Sequence, residues 1–338
     1  MVNEHGGDIY GRDIRLDFSA NLKPLGMPES VKKAAVSAVE ESGRYPDPHC
    51  RELVRKLSGY EGISEENIVC GNGADDLIYR IVHALRPKRA VIARPTFSEY
   101  AKALREVGCE VTGCAPGEIE PALASGVDML VLCNPNNPTG QLTGCEELKR
   151  ICEKCRENGV IFLCDECFID LCENSAANSV KQFLNSNVII LKAFTKTYAM
   201  AGLRLGYALF GSPELAEKVR RSGQYWSVSS VAQAAGIAAL DEREYLRKAV
   251  KIISEERRYL SAELTRCGFT VLPSDTNFIL FGCGLPLDEM LLGEGILIRS
   301  FEGSDVPGDG YFRIAVKLHE ENEALIDAIE KVMKWQKT

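Results

Sequence analysis

Residues 187–209 read NVIILKAFTKTYAMAGLRLGYAL. The apolar run Val188 to Leu191 breaks into a polar turn holding Lys196, and a second apolar run follows through Leu203, Leu205 and Tyr207. Consecutive β-branched and aliphatic residues, without alternation, are the mark of a strand covered on both faces. A lysine just past such a strand, with Arg204 eight residues on, is poorly explained by solvation alone. A partly desolvated amine beside an anion-binding guanidinium suits imine chemistry and a phosphate-bearing cofactor. A solvated loop lysine is the plain alternative, and the stretch by itself leaves both open.

Two further units repeat the pattern upstream. Asp128 to Cys133 (DMLVLC) runs into Asn134-Pro135-Asn136-Asn137-Pro138-Thr139-Gly140, and Gly159 to Cys164 (GVIFLC) runs into Asp165-Glu166. A helix over Cys145 to Glu157 separates them, as right-handed crossovers in a parallel sheet require. Ligands of open α/β sheets bind beyond the carboxyl ends of the strands. An amide (Asn137), a carboxylate (Asp165) and an amine (Lys196) are therefore expected to converge. That set suits a heteroaromatic aldehyde, with Asp165 on a ring nitrogen, Asn137 on a phenolic oxygen and Lys196 on the aldehyde carbon. An Asp165–Lys196 salt bridge is the structural alternative.

Ile68-Val69-Cys70 leads into Gly71-Asn72-Gly73-Ala74-Asp75 and an apolar-periodic helix through Leu85. A Gly-rich turn opening a helix presents free N–H groups and the positive end of the dipole to an anion. Asp76 stands where a dinucleotide fingerprint needs its third small residue, which weakens a nucleotide-dependent oxidoreductase. Capping by Asn72 or Asp75 is the bland reading. Phe97, past the short strand Ala90 to Ala93, could stack on a flat ring or simply fill core.

The fold class expected is α/β, a mostly parallel sheet flanked by helices, with a smaller α+β domain. Residues 1–45 are assigned to an N-terminal arm and part of the small domain, 46–235 to the large domain and 236–338 to the small C-terminal domain. The last assignment rests on a long helix (about Glu242 to Cys267) followed by short strands alternating with helices.

The formal net charge of -8, with no basic tract, argues against a nucleic-acid partner. No membrane-length apolar run and no signal-peptide core occur, so a cytoplasmic protein is expected. Thirteen cysteines include a doubled C-x-x-C, Cys152/Cys155 and Cys164/Cys167. The first pair falls on the expected helix and the second starts inside a buried strand, where residues three apart face opposite ways. Reduced, structural thiols are expected and no metal site.

The ordered set of Gly-rich turn, Asn-Pro-Thr-Gly turn, Asp165 and Lys196 resembles the fold-type-I pyridoxal-phosphate enzymes over nearly the whole chain. Arg44-Tyr45-Pro46-Asp47, NPNNPTG and AGLRLGY are similar to the histidinol-phosphate aminotransferase branch. His5-Gly6-Gly7, LDFSANLKPLGMP (Leu16 to Pro28), Trp226-Ser227-Val228 and Ile296-Leu297-Ile298-Arg299-Ser300 look most like the threonine-phosphate decarboxylases of cobalamin side-chain synthesis within it. The resemblance implies pyridoxal 5'-phosphate as cofactor, bonded to Lys196, with Asp165 keeping its ring nitrogen protonated, Asn137 on its hydroxyl and Phe97 stacked on it. Its phosphate would sit on Gly73-Ala74-Asp75 with Thr195 and Arg204. Tyr45 would reach the same phosphate from a partner, which implies a homodimer. Arg313 would take the substrate carboxylate and Arg299, with His5 and Lys317, the substrate phosphate, with Asn21 nearby. Two departures stand out: Ala193 replaces a hydroxyl residue three before the lysine, and Phe168 replaces a tyrosine that touches the ring hydroxyl.

The implied reaction is decarboxylation of L-threonine O-3-phosphate to aminopropanol phosphate. The alternative is transamination, by a histidinol-phosphate aminotransferase or a related class I/II enzyme. If Arg313 holds the carboxylate near the ring plane, the Cα–H bond breaks and Lys196 shuttles the proton. If the carboxylate is turned out of plane, carbon dioxide leaves. A non-catalytic binding protein on the same fold is the reading from a different class.

Overall fold

The structure, a computed structural model, describes residues 5–301 and 308–335. Val188, Ile189, Ile190 and Leu191 are all fully buried, and they serve two cores at once. Val188 and Ile190 face one cluster, Ile189 and Leu191 the other. That two-sided burial is why the run shows no polar alternation, and each side chain contributes about 1.5–3 kcal/mol by leaving water.

Seven strands form the sheet between these cores, in the spatial order Ile68–Gly71, Gly206–Phe210, Val188–Ala193, Ile161–Asp165, Met129–Cys133, Arg89–Ala93, Glu110–Cys114. All run parallel except Gly206–Phe210, which is antiparallel to both neighbours. The lysine strand is two residues longer than its apolar run suggests. Lys192 and Ala193 stay in the ladder because the antiparallel Tyr207 and Gly206 pair with them. The expected polar turn is instead a one-turn helix, Phe194–Thr197, with Phe194, Thr195 and Thr197 buried.

Register brings the three strand ends level: Cys133 pairs with Asp165, and Asp165 with Leu191. The expected crossover helix is Cys145–Glu157, and it carries buried Cys152 and Cys155. All thirteen cysteines are free, and most are buried.

A third core, built on Phe18 and on residues from Leu260 onward, lies under a four-stranded antiparallel sheet ordered Arg299–Ser300, Tyr311–Ala315, Phe278–Gly282, Thr270–Val271. The run Ile296 to Ser300 is divided: Ile296–Leu297 pairs in parallel with Leu16–Asp17 of the arm, and Arg299–Ser300 joins the antiparallel sheet. The ladder Leu16–Asp17 carries the arm into the third core and leaves Ser19 to Asn21 beside the large sheet's ligand edge. Among the described residues no helix is long and apolar enough to cross a membrane.

One glycine ties the sheet to the anion turn. A Cβ on Gly206 would lie 2.7 Å from both Ala74 N and Gly73 C, backbone atoms that cannot swing aside. Gly206→Ala is therefore expected to lower the unfolding free energy by about 1–3 kcal/mol through overpacking, read as a fall in denaturation midpoint at unchanged m. An unchanged midpoint would mean that the turn is not wedged on this strand.

Candidate active site

The two lysines of LKAFTK have opposite surroundings. Lys192 points to the first core and is clamped by Asp170 at 2.8 Å and Glu61 at 3.5 Å. Burial works against its charge, but these carboxylates hold its ammonium above the ordinary range. Lys196 has no carboxylate within salt-bridge distance and no hydrogen-bond partner for Nζ among the described residues. Its Nζ lies 5.8 Å from the Phe168 ring centroid. Burial first, then the charge of Arg313, brings its pKa down to about 8. The structural alternative, a salt bridge from Lys196 to Asp165, does not form, and a near-neutral amine is what attack on a carbonyl needs.

Lys196 lines a cavity of about 460 Å³, and most of the expected residues line it too: Asp165, Asn137, Phe97, Ala74, Asp75, Thr195, Arg204, His5, Asn21, Arg299 and Arg313. Ala193 and Phe168 are on its wall as well. Three expected residues are not on it. Gly73 stands behind, at φ +85, with the Arg204 guanidinium laid where its Cβ would be. Lys317 is turned away to Glu321 at 2.9 Å and to the Phe18 ring. Tyr45 is 78% exposed and stacked on Trp226 at 4.4 Å; its expected place was a partner's cavity rather than its own.

The anion turn is built as backbone, not as a side-chain cap. Neither Asn72 nor Asp75 caps the helix Gly73–Leu85; Asp76 Oδ2 accepts from the Asn72 N–H at 2.9 Å instead. The first N–H groups of the helix thus stay available beside Thr195 and Arg204.

Asp165 is held from both sides. The Tyr100 hydroxyl donates to Oδ2 at 2.5 Å and the Cys167 N–H to Oδ1 at 2.9 Å. Tyr100 is 1% exposed, and its phenol is pushed well up by burial and by the Asp165 charge, which keeps it a donor. Tyr100 also meets Phe97 edge to face at 5.6 Å, so one buried ring orients both the carboxylate and the stacking candidate. Arg313 donates from Nη1 to Asn137 Oδ1 and from Nη2 to Ser19 O, and sits opposite Arg299 in the ladder. Burial first and Arg299 second press its pKa below the ordinary value, a tension that a bound anion would relieve.

Tyr100, Glu99 and Thr96 carry no signal in the sequence, and Cys167 shows there only as half of a C-x-x-C pair; all four line the cavity.

The cavity also carries unfinished hydrogen bonding. Asn21 Oδ1, Asp75 Oδ1, Thr96 Oγ1 and Arg313 Nε are buried without partners among the described residues, four groups around one space. Buried polar atoms are seldom left so, and their placement fits a polar, phosphate-bearing aromatic molecule between the anion turn and Asp165. Among the described residues no cluster of three His, Cys, Asp or Glu side chains is arranged to hold a metal ion.

Residues 13–329 match the family described as aminotransferase class I and II. The chain is 33% identical to threonine-phosphate decarboxylase of Salmonella typhimurium, covering 97% of this chain and 96% of that protein. It is 34% identical to a histidinol-phosphate aminotransferase of Desulfitobacterium hafniense, covering 95% and 92%. Its fold is similar to that of histidinol-phosphate aminotransferase from Sinorhizobium meliloti in complex with pyridoxal-5'-phosphate, with a TM-score of 0.88 at 25% identity over 96% and 93% of the two chains.

Proposed function

The chain belongs to the class I and II aminotransferase family, a pyridoxal-phosphate enzyme of the aminotransferase and decarboxylase kind, and we propose that it decarboxylates L-threonine O-3-phosphate to aminopropanol phosphate. The observation that carries this reading is the pairing of Arg299 with Arg313 across one ladder at the cavity, which His5 also lines. Two guanidinium groups and an imidazole suit a small substrate that bears both a carboxylate and a phosphate. The likeness to the Salmonella typhimurium decarboxylase supports it.

Pyridoxal phosphate supplies an electron sink for the pair left on Cα when a bond there breaks. Lys196 would anchor it, the Gly73-Ala74-Asp75 turn with Thr195 and Arg204 would take its phosphate, and Asp165 its ring nitrogen. Asn137 would face its hydroxyl and Phe97 its ring. Arg313 would grip the substrate carboxylate and Arg299 the phosphate. Lys196 would deliver the one proton that takes the place of the departing carbon dioxide at Cα. A second copy of the chain would bring Tyr45 to the phosphate, so a homodimer is part of the reading.

Transamination of histidinol phosphate is the second reading, favoured by the 34% identity to the Desulfitobacterium hafniense enzyme. Incubation of the holoenzyme with O-phospho-L-threonine is expected to release carbon dioxide and leave aminopropanol phosphate. Glutamate formed from histidinol phosphate and 2-oxoglutarate, with no gas from O-phospho-L-threonine, would replace the first reading by the second.

A further inference from the structure

We propose that Lys23 is a positioning residue: as an uncharged amine it seats the N-terminal arm on the active-site cavity, and a proton gained by Lys23 loosens the arm. The proposal holds for either reaction, because it concerns a cavity wall that both would use.

Lys23 is 2% exposed, and its Nζ has no hydrogen-bond partner among the described residues. The amine lies 4.1 Å from the centroid of the Tyr245 ring and 5.6 Å from that of Tyr198. Tyr245 belongs to the long helix Arg243–Arg266, and its hydroxyl donates to Leu25 O, so one side chain holds the arm on both sides of Pro24. Tyr198 closes the one-turn helix that carries Lys196, its N–H donating to Phe194 O at 3.0 Å. Lys23 therefore sits where the arm, the Lys196 segment and the long helix meet.

The residues just before it are cavity wall. Ser19, Ala20 and Asn21 line the cavity, Ser19 O accepts from Arg313 Nη2 at 3.0 Å, and Asn21 O accepts from Asn277 Nδ2 at 3.2 Å. Lys23 follows Asn21 by two positions, too short a tether for the amine to move out to water alone. Its departure would pull on the residues that hold Arg313.

An ammonium has three donors to satisfy. Two ring faces attract a cation, but they return only part of the hydration that burial removes. The Tyr198 and Tyr245 phenols are both raised, by burial first, and stay neutral. Glu242, just ahead of the long helix, is the carboxylate whose charge favours the ammonium, yet it does not hydrogen-bond Nζ. Burial outweighs Glu242 and brings the Lys23 pKa down to about 7. A lysine released to water titrates near 10.5, so the loosened arm binds the extra proton between about 7 and 10.5. The seated arm gains on the loosened one as pH rises through that window. Below about 7 both carry the proton and the balance levels off.

Lys23→Met keeps an apolar stem of similar length but cannot take a proton. Hydrogen exchange of the holoenzyme, corrected for the intrinsic pH dependence of exchange, is read on the arm, where Phe18 N–H donates to Leu297 O at 2.8 Å and Gly26 N–H to Lys23 O at 3.2 Å. Wild-type protection is expected to rise about fivefold from about pH 7 to about pH 8. In Lys23→Met it should stay level and exceed the wild-type value at about pH 7 by roughly a hundredfold or more. The wild-type KM for O-phospho-L-threonine (or for histidinol phosphate, if that is the substrate) should exceed that of Lys23→Met in proportion to the unseated fraction that exchange reports. The wild-type Lys23 amine, followed by NMR and assigned with Lys23→Met, should titrate near 7. A midpoint near the ordinary 10.5 overturns the proposal, as does a pH step in protection that persists in Lys23→Met. A KM that ignores the unseated fraction overturns the positioning role. If the wild type turns over neither phosphorylated substrate, the functional reading fails instead, and exchange still decides the role of Lys23 in the arm.

Discussion

Lys196→Ala is expected to cut turnover by roughly a thousandfold or more, because in the proposed reaction one residue would supply both the cofactor's covalent anchor and the proton at Cα. The wild-type protein should be yellow, and borohydride should fix the cofactor's mass on the peptide containing residue 196. The variant should bind the cofactor only reversibly and fix none. The contrast with Lys192 makes the test sharp, since that neighbour is tied to Asp170 and Glu61 and cannot substitute. The same environment gives a pH signature. With a pKa of about 8, Lys196 is roughly one-tenth neutral at pH 7, against a few parts in ten thousand for an ordinary lysine. Cofactor capture by the apoprotein should speed up as pH rises through about 8 and then level off. The linked stability runs the same way. The folded pKa is depressed, so the unfolded chain binds the extra proton between about 8 and the ordinary 10.5, and apoprotein stability climbs with pH across that window. Borohydride labelling that persists in Lys196→Ala would remove the lysine from its role.

Much of this site was legible before any coordinates, for one physical reason. Strands buried on both faces must be apolar throughout, so the first polar residues after them mark the ligand edge of the sheet, and level register then brings those residues together. Asp165 follows from that argument directly, being in register with Cys133 and Leu191. Asn137 and Lys196 follow with four or five residues of slack. What stayed hidden belongs to side-chain direction and to partners remote in sequence. Tyr100 lies 65 residues from Asp165, and nothing in its neighbours says that its hydroxyl turns inward. Thr96 and Glu99 look like ordinary residues at a helix start. Lys317 has the charge for a phosphate but lies four residues before Glu321, and the pair closes within its own segment. The extension of the lysine strand to Ala193 was equally invisible, because it is imposed by the antiparallel Gly206–Phe210 rather than by local apolarity.

The second large effect is expected at Asp165. Its carboxylate is 5% exposed, and its two oxygens already accept from Tyr100 and Cys167. The residue is thus fixed in place before any ligand arrives, and what remains for it to contribute is charge. Asp165→Asn keeps the volume and an acceptor but can no longer balance a proton on a ring nitrogen. Removing one preorganised electrostatic partner of a developing charge typically costs about 10²–10³ in kcat, and a loss of that size is expected here. Tyr100→Phe, which leaves the carboxylate in place but removes one charge-assisted bond, should lose about tenfold. Stability distinguishes chemistry from folding. Without cofactor, Asp165 is a buried carboxyl with no cation in salt-bridge contact among the described residues, so the Asp165→Asn apoprotein should melt no lower than wild type. With cofactor added, the wild type should gain more in melting temperature than the variant, by the ratio of their affinities. A variant that binds the cofactor with wild-type affinity and turns over within tenfold of wild type would show that the ring nitrogen does not sit at this carboxylate.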